Sequence, residues 1–255
     1  MKKQSTILVT SPQGGSGKST IALNTALHFA NMNMKVLLID MACYGSLPSM
    51  LKIPIRGKGM SSLITALEQN EGKIHPEQFS SYFRDSLMVY EGEKNLHLLL
   101  SASPLKMEKL TIGYVQAIIQ AARMEHYSAI IIDTSSELCE RNIGCLEQAD
   151  CILIPTLQDV TSGWKTILFK EILESLNIDR DKISVIVNRC TKYSGFNNLE
   201  YRDELGYSLL AEIQDVSKKA QKHINNGVPI VNSGNKRAAM PFRNLSNQLL
   251  KKLGG

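Results

Sequence analysis

The sequence has no run of about 18 consecutive apolar residues, so no membrane-crossing helix is expected. None of its five cysteines, Cys43, Cys139, Cys145, Cys151 and Cys190, forms a CxxC pair, and no histidine stands at ligand spacing from them. A cysteine-based metal site is therefore not expected. An odd count without a framework points to reduced, mostly buried thiols in a cytoplasmic protein. Internal repeats, low-complexity tracts and linker-like segments are also missing, which implies one domain over residues 1–255. The opening "MKKQSTILVTS" is basic and then apolar, but its apolar run is too short for a signal peptide. Excess charge of one sign is small. The net charge is +5, and the basic blocks, Lys218-Lys219 with Lys222 and Lys251-Lys252, are short. Solvated helix faces account for them, with a weak nucleic-acid or acidic-membrane contact as the alternative.

The chain does have ample material for one large core: 255 residues, 43% of them hydrophobic. Apolar, β-rich runs alternate with helical patterns. Strands are expected at "STILVTS" (5–11), "KVLLID" (35–40), "NLHLLLS" (95–101), "YSAIIID" (127–133), "CILIPT" (151–156), "KISVIVNR" (182–189) and "YSLLAEI" (207–213). Helices are expected over 19–32, 61–69 with Ser61 or Ser62 as cap, 109–124, 140–149, 161–176, 216–225 and 238–253. Residues 41–60 hold Gly45, Pro48, Pro54, Gly57 and Gly59, so a loop with one short helical turn is expected there. Strands apolar throughout and separated by helices imply a parallel sheet covered on both faces. The fold class is α/β, one doubly wound domain.

One loop carries chemistry. "GGSGKST" lies between the first strand and a buried helix. Glycines there let backbone N–H groups close on an anion, and the helix N-terminus adds partial positive charge. Gly14, Gly15, Ser16, Gly17, Lys18, Ser19 and Thr20 form the candidate phosphate cradle. Lys18 is placed to reach the β- and γ-phosphates, and the Ser19 hydroxyl to ligate Mg²⁺. The full G-x4-G-K-[ST] pattern asks for glycine at position 12, where this chain has Pro12. Asp40 and Asp133 end two presumed parallel strands, where such folds bind ligands. With Ser19 they are the candidate metal ligands, and Lys18 with Asp40 the candidate catalytic groups. A helix cap is the other reading of each aspartate. Asn188 also ends a strand, and its amide suits an adenine edge; a turn residue is its other reading.

On these residues the chain resembles the MinD/ParA family of deviant phosphate-loop ATPases. The stretches that carry the resemblance are "ILVTSPQGGSGKSTIALNTALHFA", "KVLLID", "YSAIIIDTSSELCERNIGCLEQADCILIPT", "VIVNRC" and "GVPIVNSGNKRAAMPFRNL". "SPQGGSGKST" and "YGSL" look most like the CpaE/TadZ branch, polar localisation factors for pilus assembly. The resemblance implies seven or eight mostly parallel strands, bound ATP and Mg²⁺, and a homodimer with ATP between its faces. It implies a bacterial cytoplasmic protein, polar or peripheral at the inner membrane, with pilus or secretion proteins as partners.

Three positions depart from the family pattern. Gln13 stands where the family's signature lysine reaches the partner's nucleotide. Ala42 stands where a second carboxylate orients the attacking water. "DTSSE" replaces "DTPPG", which leaves Glu137 as an alternative acid near the γ-phosphate, against a capping or solvated residue. A cationic finger is worth about 10³–10⁵ in phosphoryl-transfer rate, and alanine can neither accept a proton nor hold water. The expectation is an ATP-binding scaffold with slow or absent hydrolysis.

The alternatives are an active partition ATPase that binds DNA non-specifically, a capsule-synthesis tyrosine kinase and an iron–sulfur ATPase. The kinase usually carries a C-terminal tyrosine cluster, whereas this sequence ends "NQLLKKLGG". The iron–sulfur ATPase needs a second cluster cysteine that does not appear beside Cys139. Phe242, Leu245, Leu249 and Leu253 recur at helical spacing near Arg243, Lys251 and Lys252. They form either the last helix of the core or a membrane-surface helix.

Overall fold

The computed structural model describes residues 4–54, 58–70 and 75–254. In chain order its elements are β1 (Ser5–Val9), α1 (Lys18–Asn31), β2 (Val36–Asp40), α2 (Leu47–Leu51), α3 (Met60–Gln69), α4 (Pro76–Ser86), β3 (Met88–Val89), β4 (Leu96–Leu99), α5 (Pro104–Met107), α6 (Ile112–Met124), β5 (Ala129–Asp133), α7 (Glu140–Gln148), β6 (Cys151–Leu157), α8 (Val160–Ser175), β7 (Ile183–Cys190), α9 (Asn198–Leu205), β8 (Ser208–Gln214), α10 (Ser217–Asn225) and α11 (Lys236–Lys252).

Successive side chains of a strand point to opposite faces of its sheet. The central strands are apolar on both. Leu8, Leu37, Ile39, Ile130, Ile132, Ile152 and Ile154 enter one hydrophobic layer, with residues of α3, α4, α6 and α8. Their neighbours Ile7, Val9, Val36, Leu38, Ile131 and Leu153 enter the other, with α1 and α11. This two-sided burial is why the strands read as continuous apolar runs. The strand order is β3-β4-β2-β5-β1-β6-β7-β8, and every pairing is parallel except β3–β4 at one edge. The expected doubly wound α/β sheet is therefore present, with eight strands.

The differences from the sequence reading lie where patterns are short. The hydrophobic side chains that α4 buries among the described residues are Phe79 and Phe83, one turn apart, in a largely polar segment. Helix α9 buries Tyr201 and Leu205; the Asn197 side chain caps its start, and Gly206 in the left-handed region ends it. Helix α3 begins after Gly59 rather than at a serine cap, and Ser62 Oγ instead donates back to the Gly59 carbonyl. Gly57, counted among the loop residues, lies outside the described residues.

At the C-terminal end, Phe242, Leu245 and Leu249 of α11 are buried against α1 and the sheet. The apolar side of this helix is used by the core, which decides between its two readings. No helix among the described residues is long and apolar enough to cross a membrane. Phe242→Ala should cost about 3–5 kcal/mol, read as a lower urea midpoint.

Candidate nucleotide site

Parallel pairing brings the chemistry to one end of the sheet. Strand β5 lies between β1 and β2, with Val9 and Asp40 both level with Asp133. The loop after β1 and the two strand-end aspartates thus become neighbours, although the aspartates lie 93 positions apart in the chain.

The loop's shape follows from its glycines. Gly15 and Gly17 have φ of 76° and 97°, a region that L side chains rarely adopt. A Cβ on Gly17 would also come within 2.3 Å of Asn188 Nδ2. Above Gly14 and Gly15 there is open space. Helix α1 starts at Lys18 with no side-chain cap and no acid in its first turn. Its first N–H groups are left without the usual side-chain acceptor, an arrangement suited to an anion.

Lys18 is buried. Its Nζ donates to the Gln13 carbonyl at 2.9 Å and to Ser136 Oγ at 2.5 Å. Burial lowers its pKa, opposed by the charges of Asp133 and Glu137. Asn188 is also buried; Nδ2 donates to the Ser16 carbonyl at 2.8 Å, while Oδ1 accepts from the Arg189 N–H at 2.9 Å. The amide moors the phosphate loop to the end of β7. Beside it, Gly17, Thr20, Asn188, Gln214 and Gln221 line a cleft of about 70 Å³.

The two aspartates are not equivalent. Asp40 Oδ1 accepts from the Ala42 N–H at 3.1 Å, and Oδ2 from Ser101 Oγ at 3.2 Å. Gly45 permits this packing, because a Cβ there would lie 1.9 Å from Ser101 Oγ and 2.3 Å from Asp40 Oδ2. Neither oxygen of Asp133 meets a donor in full hydrogen-bond geometry, although the nearby Ser19 hydroxyl and Lys18 act to hold its pKa down. Burial raises the pKa of both acids, and the charge of Asp40 pushes Asp133 further. Neither aspartate caps a helix: Ser46 precedes α2, and Cys139 precedes α7. Two buried oxygens without donors, beside a serine hydroxyl and a second carboxylate, are a hard-oxygen donor set that fits Mg²⁺.

The departures are also placed. Gln13 has its side-chain Oε1 buried without a donor. Ala42 is buried and puts no polar side-chain atom beside Asp40. Glu137 is not a free acid, since its Oε1 accepts from Arg141 Nη2 at 2.9 Å. Arg141, which the sequence reading passed over, is the largest fully buried side chain. It also donates from Nε to the Met41 carbonyl at 2.8 Å and from Nη1 to that of Met107 at 2.9 Å. One guanidinium therefore fastens the segment after β2 to α5 and to the segment after β5. The Glu137–Arg141 spacing of four was the available signal. Among the described residues, Cys43, Glu108 and Glu137 are the one trio of ligand-type side chains close enough to share a metal ion. Arg141 already pairs with both of these acids, and the five cysteines are free thiols.

A doubly wound parallel sheet with a GKST loop after its first strand and carboxylates ending neighbouring strands defines a phosphate-loop nucleotide-binding protein. The chain matches the AAA domain family (AAA_31) over residues 4–178 and belongs to it, within the MinD/ParA group of phosphate-loop ATPases. It is 26% identical over 247 residues to the septum site-determining protein MinD of Thermotoga maritima, covering 95% of this chain and 87% of that one. Two solved structures share its fold. MinD of Pyrococcus horikoshii, complexed with Mg-ADP, has a TM-score of 0.80 at 19% identity, covering 99% of this chain and 98% of that one. A ParA-family ATPase of Chlorobium tepidum has a TM-score of 0.82 at 18% identity, covering 96% and 99%.

The carboxylate pair has a consequence for the ligand-free protein. With folded-state pKa values raised, the native state binds more protons than the unfolded one above pH ~4. Stability then falls as pH rises from there through the folded pKa values. Asp133→Asn removes one buried charge and should stabilise the ligand-free protein at pH 8 by an amount on the order of 1–3 kcal/mol. At pH 4 it should change little. Thermal melts of both proteins across this range, without nucleotide, check the sign.

Proposed function

We propose that this chain is a nucleotide-dependent, dimerising localisation factor of the MinD/ParA type that binds Mg·ATP and hydrolyses it slowly or not at all. The carrying observation is the contrast between two sets of groups. Gly14 to Thr20, Lys18 and the Ser19–Asp40–Asp133 cluster supply a cradle, a cation and oxygen ligands for a metal nucleotide. Gln13 and Ala42 supply neither a mobile charge nor a water-holding carboxylate. Glu137 is engaged by Arg141. Only contacts stronger in the transition state speed the chemistry, so such a site keeps affinity and loses rate.

In this reading Ser19 and Asp133 hold Mg²⁺ with Asp40 behind them, and the ion supplies charge neutralisation at the phosphates. Lys18 leaves Gln13 and Ser136 for the β- and γ-phosphates, and Asn188 faces the base. The Mg-ADP complex of the Pyrococcus horikoshii MinD supports the ligand class. ATP held between two copies makes a switch set by γ-phosphate contacts. The "SPQGGSGKST" and "YGSL" stretches favour a CpaE/TadZ-like role, with pilus or secretion proteins as cargo at a pole or the inner membrane of a bacterial cell.

Steady-state hydrolysis by the purified protein tests this, with Lys18→Ala as control. The expected rate lies well below about one turnover per second, the low end of ordinary catalysis. Gln13→Lys combined with Ala42→Asp should raise it by at least about tenfold, a small part of what a finger cation can supply. A Lys18-dependent rate of one per second in the unaltered protein would sink the proposal.

A further inference from the structure

Arg141 stands at the second position of α7, at the positive end of the helix dipole, where a cation is disfavoured. It is also taken almost wholly out of water, with its side chain 1% exposed. Two acids offset its charge. Glu137 lies at 2.9 Å and Glu108 at 3.7 Å, but their side chains are 45% and 61% exposed. Ion pairs with such solvated partners contribute little by themselves. An apolar side chain of similar volume would pack α7 against its neighbours without burying a charge. The reason for a guanidinium here lies with the acceptors that it reaches inside the molecule.

One of these acceptors is the Met41 carbonyl, 2.8 Å from Arg141 Nε. That carbonyl belongs to the peptide unit whose other end is the Ala42 N–H. The Ala42 N–H donates to Asp40 Oδ1 at 3.1 Å. A peptide unit is planar and stiff, so fixing its oxygen fixes the direction of its N–H. Linked hydrogen bonds also polarise one another, so a cation on the oxygen makes the N–H a better donor to the carboxylate. The Met41 N–H is held separately, by the Asp133 carbonyl at 2.8 Å. The chain just beyond β2 is thus gripped from β5 and from α7 where Asp40 must be oriented. Ser101 Oγ holds the other Asp40 oxygen at 3.2 Å.

We propose that Arg141 is a positioning residue for the metal site: through the Met41–Ala42 peptide it sets the Asp40 carboxylate in the orientation that supports Mg²⁺. The inference rests on the reading above, in which Asp40 stands behind Ser19 and Asp133 at the ion. It adds that the Mg²⁺-dependent part of nucleotide affinity is controlled from α7, one peptide unit away from the carboxylate. The same guanidinium holds the Met107 carbonyl at 2.9 Å and Glu137 Oε1 at 2.9 Å. The segments after β2 and β5 are therefore set together with Asp40, not one by one. Outer-shell partners of metal ligands typically carry about 10–100-fold of metal affinity.

The test separates the ion from the nucleotide. A fluorescent, non-hydrolysable ATP analogue is titrated into the full-length protein with excess Mg²⁺, and again with EDTA. The ratio of the two dissociation constants is the Mg²⁺ gain. Arg141→Met should lower this gain about tenfold, the low end for an outer-shell partner, and leave affinity in EDTA nearly unchanged. Arg141→Lys keeps the charge but not the planar fork, and its gain should lie between the two. In an Asp40→Asn background the carboxylate is gone, so Arg141→Met should lower the gain no further, because residues acting through one group are not additive. A merely structural strut would lower the melting temperature and both affinities together, and that outcome overturns the proposal. An unchanged gain in Arg141→Met, or equal losses in both backgrounds, overturns it too. If Arg141→Met does not fold, Arg141→Lys in the two backgrounds carries the same comparison. No Mg²⁺ gain in the unaltered protein, or a gain indifferent to Asp40→Asn, overturns the metal reading and the proposal with it. An Asp40-dependent gain that survives the loss of Arg141 overturns the proposal alone.

Discussion

Two carboxylates, Asp40 and Asp133, end adjacent parallel strands side by side and away from water. Like charges this close, without solvent, are strongly disfavoured unless a proton or a cation stands between them. Much of the surrounding structure can be understood from that constraint. Asp40 is held by the N–H of Ala42 and the hydroxyl of Ser101. Asp133 is left with open oxygens facing the Ser19 and Lys18 side of the cluster. The Lys18 ammonium, itself buried, is attracted to the same cluster. A divalent cation bound to phosphates is the kind of charge that offsets this buried carboxylate pair.

Around this pair the loops are tied rather than loose. Arg141 holds Met41 and Glu137 together, and Asn188 holds Ser16. The segment after β2, with alanine at position 42, is thereby fastened in three dimensions. Preorganised backbone favours affinity by lowering the ordering cost of binding. It does nothing by itself for transition-state charge. In the proposed reading, grip without rapid turnover is the behaviour of a scaffold whose state is set by nucleotide occupancy.

The sheet was readable in advance because its strands are long, apolar on both faces and separated by amphipathic helices. The phosphate loop was readable because glycine and lysine at fixed spacing have a mechanical reason to be there. Short elements were not. Helix α4 shows two buried phenylalanines in polar surroundings, and the antiparallel edge strand β3 is two residues long. Neither has enough period to register. Arg141 was passed over because an arginine in sequence looks like surface. Only packing reveals that its guanidinium meets carbonyls from residues 34 and 100 positions away.

Local order by itself determined the parallel α/β class, the candidate cradle from Gly14 to Thr20 and the two strand-end aspartates. These rest on short-range rules of periodicity, glycine geometry and residue chemistry. Tertiary structure alone decided that Asp40 is tied while Asp133 is open, and that Glu137 belongs to Arg141. It also decided that Phe242, Leu245 and Leu249 are spent on the core. Each depends on which surfaces meet across long stretches of chain, and burial and pairing are properties of that meeting rather than of any one segment.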